Sequence, residues 1–155
     1  MDYKAKENKT TPKIIRLLYM YILSKNYGGI EYSSLTEENE GGLKFSKKTF
    51  EKDLQCMRKA GVVIVYDKEY KNYRLGDKKI MEVTMQNPFI LKINRLYRII
   101  NYIQETNKFT KEWYQNTFNL STRTMARDIK ELKQINIAIT YYFDEGQYEI
   151  NDSSF

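Results

Sequence analysis

The 155-residue sequence predicts an α+β chain, mainly α, in which three helices and a β-hairpin occur twice in tandem. Two observations predict this. First, Met125, Ile129 and Leu132 fall at i, i+4 and i+7, while Thr122, Arg123, Arg127 and Lys130 lie off that stripe. Such a segment is a helix with one side for a core and the other for something anionic. Second, Ser46-Lys47-Lys48-Thr49-Phe50-Glu51-Lys52-Asp53-Leu54 aligns without a gap with Ser121 to Ile129, an offset of 75 from position 46 to 121. The offset persists beyond the helix, setting Ile64 against Ile139, Tyr66 against Tyr141, Tyr73 against Tyr148 and Leu75 against Ile150. Serine, threonine and aspartate recur identically, and Lys48 and Lys52 stand where Arg123 and Arg127 stand. A single offset kept through a helix and a hairpin is the mark of internal duplication.

Taken in order, residues 1–10 are polar and read as a flexible arm. Thr11 and Pro12 read as N-cap and first residue of a helix whose core stripe is Ile14, Ile15, Leu18, Tyr21 and Ile22 and which ends near Asn26, before Gly28-Gly29. A short helix is expected over 33–40, ended by Gly41-Gly42, with Leu43-Lys44-Phe45 as a turn. The next helix runs from Lys47 to about Lys59, with Phe50, Leu54, Met57 and Cys56 inward and Gly61 at the position after its C-cap. A hairpin follows, Val62 to Tyr66 and Tyr73 to Leu75, its tip carrying Lys68, Lys71 and Arg74. Residues 77–87 read as a linker partly buried by Ile80, Met81, Val83 and Met85. Pro88 opens a helix striped by Phe89, Ile93, Leu96, Ile100 and Ile103. Thr110 caps a short segment through Thr117, and Phe118-Asn119-Leu120 forms a turn in which Asn119 suits the left-handed region. After the Ser121-capped helix, Ile137 to Tyr142 and Gln147 to Ile150 read as strands joined at Asp144-Glu145-Gly146. The expected organisation is therefore arm 1–10, first unit 11–76, linker 77–87 and second unit 88–151, the first unit being about six residues longer between its helices.

Short helix, tight turn and basic second helix is the helix-turn-helix arrangement, and a hairpin directly after the second helix is a wing. The pattern Ser-x-Arg-Thr-x-x-Arg-Asp-Ile-x-x-Leu from Ser121, then Ile137-x-Ile139 and Gly146-x-Tyr148-x-Ile150, resembles the winged helix-turn-helix of DeoR-like bacterial repressors over roughly residues 95 to 150. The resemblance implies two tandem winged helix-turn-helix domains and a small transcription regulator. No counterpart of the ligand-sensing domain that usually follows in that family is expected, and no effector pocket is carried over from the resemblance.

A major groove admits one helix, which must offer short polar residues at its N-terminus and cations nearby. Lys47, Lys48, Thr49 and Lys52 meet that need in the first unit, with Lys68 and Lys71 on its wing. Thr122, Arg123, Thr124, Arg127 and Lys130 meet it in the second. Arginine binds guanine bidentately, so Arg123 and Arg127 are the expected base readers and the lysines the expected phosphate clamps. Asp53 and Asp128 are expected to orient a neighbouring cation rather than face DNA. The chain carries 26 basic and 20 acidic residues, a net charge of +6 that favours a polyanion. The excess is uneven: counted from the sequence, residues 1–76 hold 15 basic and 10 acidic, and residues 77–155 hold 11 and 10. Asp144 and Glu145 make the second wing tip acidic, a surface for a protein partner rather than for phosphate.

With no histidine and one cysteine, the chain lacks the ligands of a typical zinc site, the commonest acid–base catalyst and any internal disulfide. No phosphate-cradling glycine loop and no nucleophile beside a base is present, so no enzyme and no cofactor is expected. A cytoplasmic protein without a membrane span follows. Two alternatives stay open. One is a plasmid or mobile-element replication initiator, whose DNA-binding part tandem winged helices also resemble. The other is a winged-helix adaptor held by protein contacts. The apolar length of the 88–105 helix would serve either to join the two repeats or to pair two chains as a homodimer.

Overall fold

The computed structural model describes residues 9–37, 42–84, 86–135, 139–142 and 147–150, with backbone alone at 141, 142 and 150. The described elements run α1 (Lys13–Asn26), α2 (Tyr32–Thr36), α3 (Lys47–Lys59), β1 (Ile64–Asp67), β2 (Asn72–Leu75), α4 (Pro88–Thr106), β3 (Lys108–Thr110), α5 (Lys111–Phe118), α6 (Thr122–Lys133), β4 (Ile139–Tyr142) and β5 (Gln147–Ile150). The fold is α+β and mainly helical. Two compact units divide the chain, one over residues 2–94 and one over 95–155. The division falls inside α4, and the segment 77–87 belongs to the N-terminal unit. No described helix is long and apolar enough to cross a membrane. The expected arm over its first eight residues, Gly41 with residues 38–40, Met85, Ile137, Ala138 and the Asp144-Glu145-Gly146 turn lie outside the described residues.

In the N-terminal unit, α1 is a core helix rather than a striped one. Every residue from Ile15 to Ile22 is buried, whereas Ile14 is only half-buried. Thr11 is not its N-cap. Pro12 holds that position in an extended conformation, φ −55° and ψ 143°, and the helix begins at Lys13. The reason is tertiary: the Thr11 hydroxyl accepts the Lys44 amide at 2.8 Å, and the Thr11 amide donates to the Lys44 carbonyl at 2.8 Å. The second helix is likewise shorter than the expected 33–40, because Glu37 is already extended at φ −66° and ψ 130°.

α3 keeps the expected bounds and ends in a Schellman motif. The Gly61 amide donates to the Arg58 carbonyl at 3.0 Å and the Val62 amide to Met57 at 3.1 Å, with Gly61 at φ +93°. Val62 is thereby consumed by the cap, and the first strand starts at Ile64 instead. The hairpin registers Ile64 with Leu75, Val65 with Arg74, Tyr66 with Tyr73 and Asp67 with Asn72. Ile30 adds a one-residue third strand by bridging Tyr73. Segment 77–87 is fastened to the end of α3: the Met81 amide donates to the Gly61 carbonyl at 2.8 Å, and the Asn94 amide group donates to the carbonyls of Ala60 at 3.0 Å and Met81 at 3.1 Å.

Pro88 opens α4, and Asn87 just before it caps the first turn, accepting the amides of Phe89 at 2.9 Å and Ile90 at 3.1 Å. Phe89 is half-buried under the Lys13 ammonium, 4.9 Å from its ring centroid. Ile93, Leu96, Ile100 and Ile103 are buried, and so are Tyr97 and Ile99. In the C-terminal unit, Asn107 at φ +61° turns the chain into β3, a strand that the sequence pattern gives no sign of. The sheet order is β3-β5-β4, with Phe109 opposite Tyr148 and Tyr141 opposite Tyr148 on the other side. Thr110 caps α5 by accepting the Trp113 amide at 3.0 Å. Asn119 closes that helix in the left-handed region, φ 54° and ψ 43°, as its sequence suggests.

Candidate nucleic-acid interface

Each unit contains a capped, basic third helix. Ser46 accepts the Thr49 amide at 3.1 Å, and Ser121 accepts the Thr124 amide at 3.3 Å, so each serine satisfies one of the orphan donors of its helix. The threonine hydroxyls are drawn into the same caps, 3.0 Å from Ser46 Oγ and 3.2 Å from Ser121 Oγ. Thr49 and Thr124 are therefore half-buried members of the cap, less free to reach a ligand than the sequence suggests.

The cations stand outward. Lys47, Lys48 and Lys52 on α3 are exposed, as are Thr122, Arg123, Arg127 and Lys130 on α6. Among the described residues no ion pair or hydrogen bond of these charged groups is present, so their charge is available to solvent or to a ligand. Spacing arranges them in stripes: Lys48, Lys52, Gln55 and Lys59 on α3, and Arg123, Arg127 and Lys130 on α6, all exposed at steps of four and three. The exposed face of α3 carries one carboxylate, Glu51, whereas the fully exposed residues of α6 carry none.

Beneath each stripe lies an ion pair built on a buried aspartate. Asp53 and Asp128 do hold a cation, but it comes from the first helix of each unit. Arg16 donates from Nε to Asp53 Oδ2 at 2.7 Å and from Nη2 to Oδ1 at 3.1 Å. Arg95 donates from the same two atoms to Asp128, at 2.5 Å and 2.9 Å. Both aspartates are 1% exposed, and a bidentate fork in so dry a place fixes the angle at which each third helix meets its partner helix. The signal was present in the sequence: Ile14-Ile15-Arg16-Leu17 and Ile93-Asn94-Arg95-Leu96 share Ile-x-Arg-Leu. Arg16 and Asp53 are 37 residues apart, Arg95 and Asp128 33. The N-terminal unit is thus longer by four residues between these landmarks, not by about six.

The C-terminal pair has a third member. Tyr114 Oη donates to Asp128 Oδ2 at 2.6 Å, and burial together with that bond pushes the phenol well above its ordinary pKa. In the N-terminal unit Arg16 instead donates through Nη1 to the Thr11 carbonyl at 2.5 Å. Cys56 is buried, and burial raises its thiol pKa.

On the first hairpin Lys68 and Lys71 are exposed in the turn, Lys71 at φ +54°. Arg74 is not at the tip. It lies on β2, its guanidinium 3.9 Å from the centroid of the Tyr70 ring and its Nε 3.0 Å from Asn72 Oδ1. The second wing tip, Asp144-Glu145, lies outside the described residues. Among the described residues no cluster of three or more Cys, Asp or Glu side chains is placed to hold a metal ion. In comparison with known proteins, no family model matches the chain, and no curated protein and no solved structure matches it.

Proposed function

We propose that both units are winged helix-turn-helix modules derived from one duplicated ancestor, and that the chain is a small sequence-specific double-stranded-DNA-binding regulator of transcription. The observation that carries this reading is the repeated construction of α3 and α6. Each has a serine cap, an exposed cation stripe over its first turns and a buried aspartate forked to an arginine of its unit's first helix. Duplication is further supported by the hairpins, whose four registered pairs match one for one at the offset of 75, from 64↔75 and 139↔150 to 67↔72 and 142↔147. Capped helices with free cations near their N-termini suit the major groove, where phosphate oxygens flank readable base edges. Arg123 and Arg127 read bases on this proposal. Lys47, Lys48, Lys52, Lys68, Lys71 and Lys130 bind phosphates, while Thr49, Thr122 and Thr124 line the approach.

The test is fluorescence anisotropy with labelled duplexes across a salt titration, wild type beside a protein with Lys47, Lys48, Arg123 and Arg127 all changed to alanine. Steep salt dependence that is lost in the variant is the expected result. Absence of binding at low salt, or binding indifferent to the four substitutions, rules the interface out and leaves a protein-docking role.

A further inference from the structure

Among the described residues, three of the large exposed apolar side chains fall on the first hairpin: Val65 is 49% exposed, Tyr66 51% and Tyr70 59%. Tyr66 is the outer end of a ladder of rings that starts on α3. Phe50 meets Tyr73 edge-on at 5.8 Å, and Tyr73 meets Tyr66 at 5.1 Å. Packing thus fixes one edge of the Tyr66 ring and leaves about half of the residue open. Tyr70, in the turn, is steadied differently, with the Arg74 guanidinium lying on it at 3.9 Å. Arg74 is registered with Val65, whereas Tyr66 is registered with Tyr73. Since successive strand residues point to opposite faces, the two exposed rings sit on opposite faces of the hairpin.

Charge at the tip favours a polyanion. Lys68 and Lys71 are exposed, and the Asp67 carboxylate is engaged internally, Oδ1 accepting the amides of Glu69 at 2.9 Å and Tyr70 at 3.1 Å and Oδ2 lying 3.7 Å from Arg74 Nε. Glu69 is the one exposed carboxylate there. Half-open rings beside exposed cations are what unpaired nucleobases stack on, because every base has a π-face and each phosphate needs a countercharge. Paired bases inside a duplex offer no such face.

We propose that the first hairpin binds unpaired bases, stacking them on Tyr66 and Tyr70 with Lys68 and Lys71 on the adjoining phosphates. The N-terminal unit then prefers the end or opening of a duplex over its interior. This inference rests on the DNA-binding reading of the same chain.

The experiment compares the full chain on a blunt duplex and on the same duplex with a forked, unpaired end carrying 2-aminopurine at the first unpaired position. Wild type is expected to bind the forked DNA about tenfold more tightly and to quench the probe. Tyr66→Leu/Tyr70→Leu should lose both the preference and the quench while keeping blunt-duplex affinity. Tyr66→Phe/Tyr70→Phe, which keeps the rings, should retain both. Equal affinity of wild type for the two DNAs overturns the inference alone, as does a preference that survives in the leucine variant. Failure to bind either DNA overturns the interface reading with it.

Discussion

Arg123 and Lys48 occupy the same place on their helices, and their side chains should give different losses. A guanidinium forks onto guanine, whereas an ammonium acts as a point charge on phosphate. On the DNA-binding proposal, Arg123→Ala or Arg127→Ala should cost about 1–3 kcal/mol at particular base pairs and relax preference there, and Lys48→Ala should weaken all sequences alike and flatten the salt slope. Competition with duplexes substituted one base pair at a time measures the difference; matching behaviour of the two variants would remove the division of labour. Tyr114 supports a second residue-scale prediction. Its phenol holds its proton more tightly folded than unfolded, so the stabilisation is complete below the ordinary tyrosine pKa near 10 and fades as pH rises beyond it. Tyr114→Phe should therefore destabilise the protein by about 1–3 kcal/mol at neutral pH, through loss of the bond to Asp128, with the gap to wild type closing above pH 10. Urea unfolding of both proteins at pH 7 and about pH 10.5 checks it, and a constant gap would show that the Asp128 bond is not the cause.

At the scale of elements, the segments legible in the sequence are those settled within a few residues. α3 keeps its expected bounds because Ser46 caps one end and Gly61 closes the other, and Asn119 takes the left-handed turn that its short polar side chain tolerates. What was not legible depends on distant partners. Thr11 has the chemistry of an N-cap but is held by Lys44, and the all-round burial of α1 reflects what surrounds it, not its own periodicity. β3 exists because β5 is there to pair with it. For the candidate site, the outward cations are readable from helical spacing, while the arginines beneath them show in the sequence only as a shared Ile-x-Arg-Leu, whose role depends on which helices meet. Gly61 gives the element-scale prediction. Its positive φ suits glycine, and a Cβ there would overlap the Met81 carbonyl oxygen. Gly61→Ala should cost more than the 1 kcal/mol or so of a strained left-handed alanine, because the contact with Met81 must also give. Thermal unfolding measures the loss, and an unchanged midpoint would show that the Met81 segment is not docked there.

At the scale of the molecule, the division between units inside α4 makes a fragment test sharp. A chain ending at residue 87 lacks Asn94, whose amide group binds the carbonyls of Ala60 and Met81, as well as buried Ile90 and Ile93. A chain ending at residue 94 keeps all three. The longer fragment should show stronger hydrogen-exchange protection at Val62 and Met81 than the shorter one. Equal protection would place the true boundary before Pro88.

The two arginine–aspartate forks have a consequence for how the molecule would address its target. They make the inner sides of α3 and α6 alike, so the outer sides are free to differ, lysine and glutamine on one and two arginines with a lysine on the other. A symmetric dimer of identical subunits cannot tell its left from its right, and a palindromic site gives it no reason to. On the DNA-binding proposal, two unlike faces on one polypeptide, each braced the same way from within, would give the bound protein a polarity that a symmetric dimer lacks.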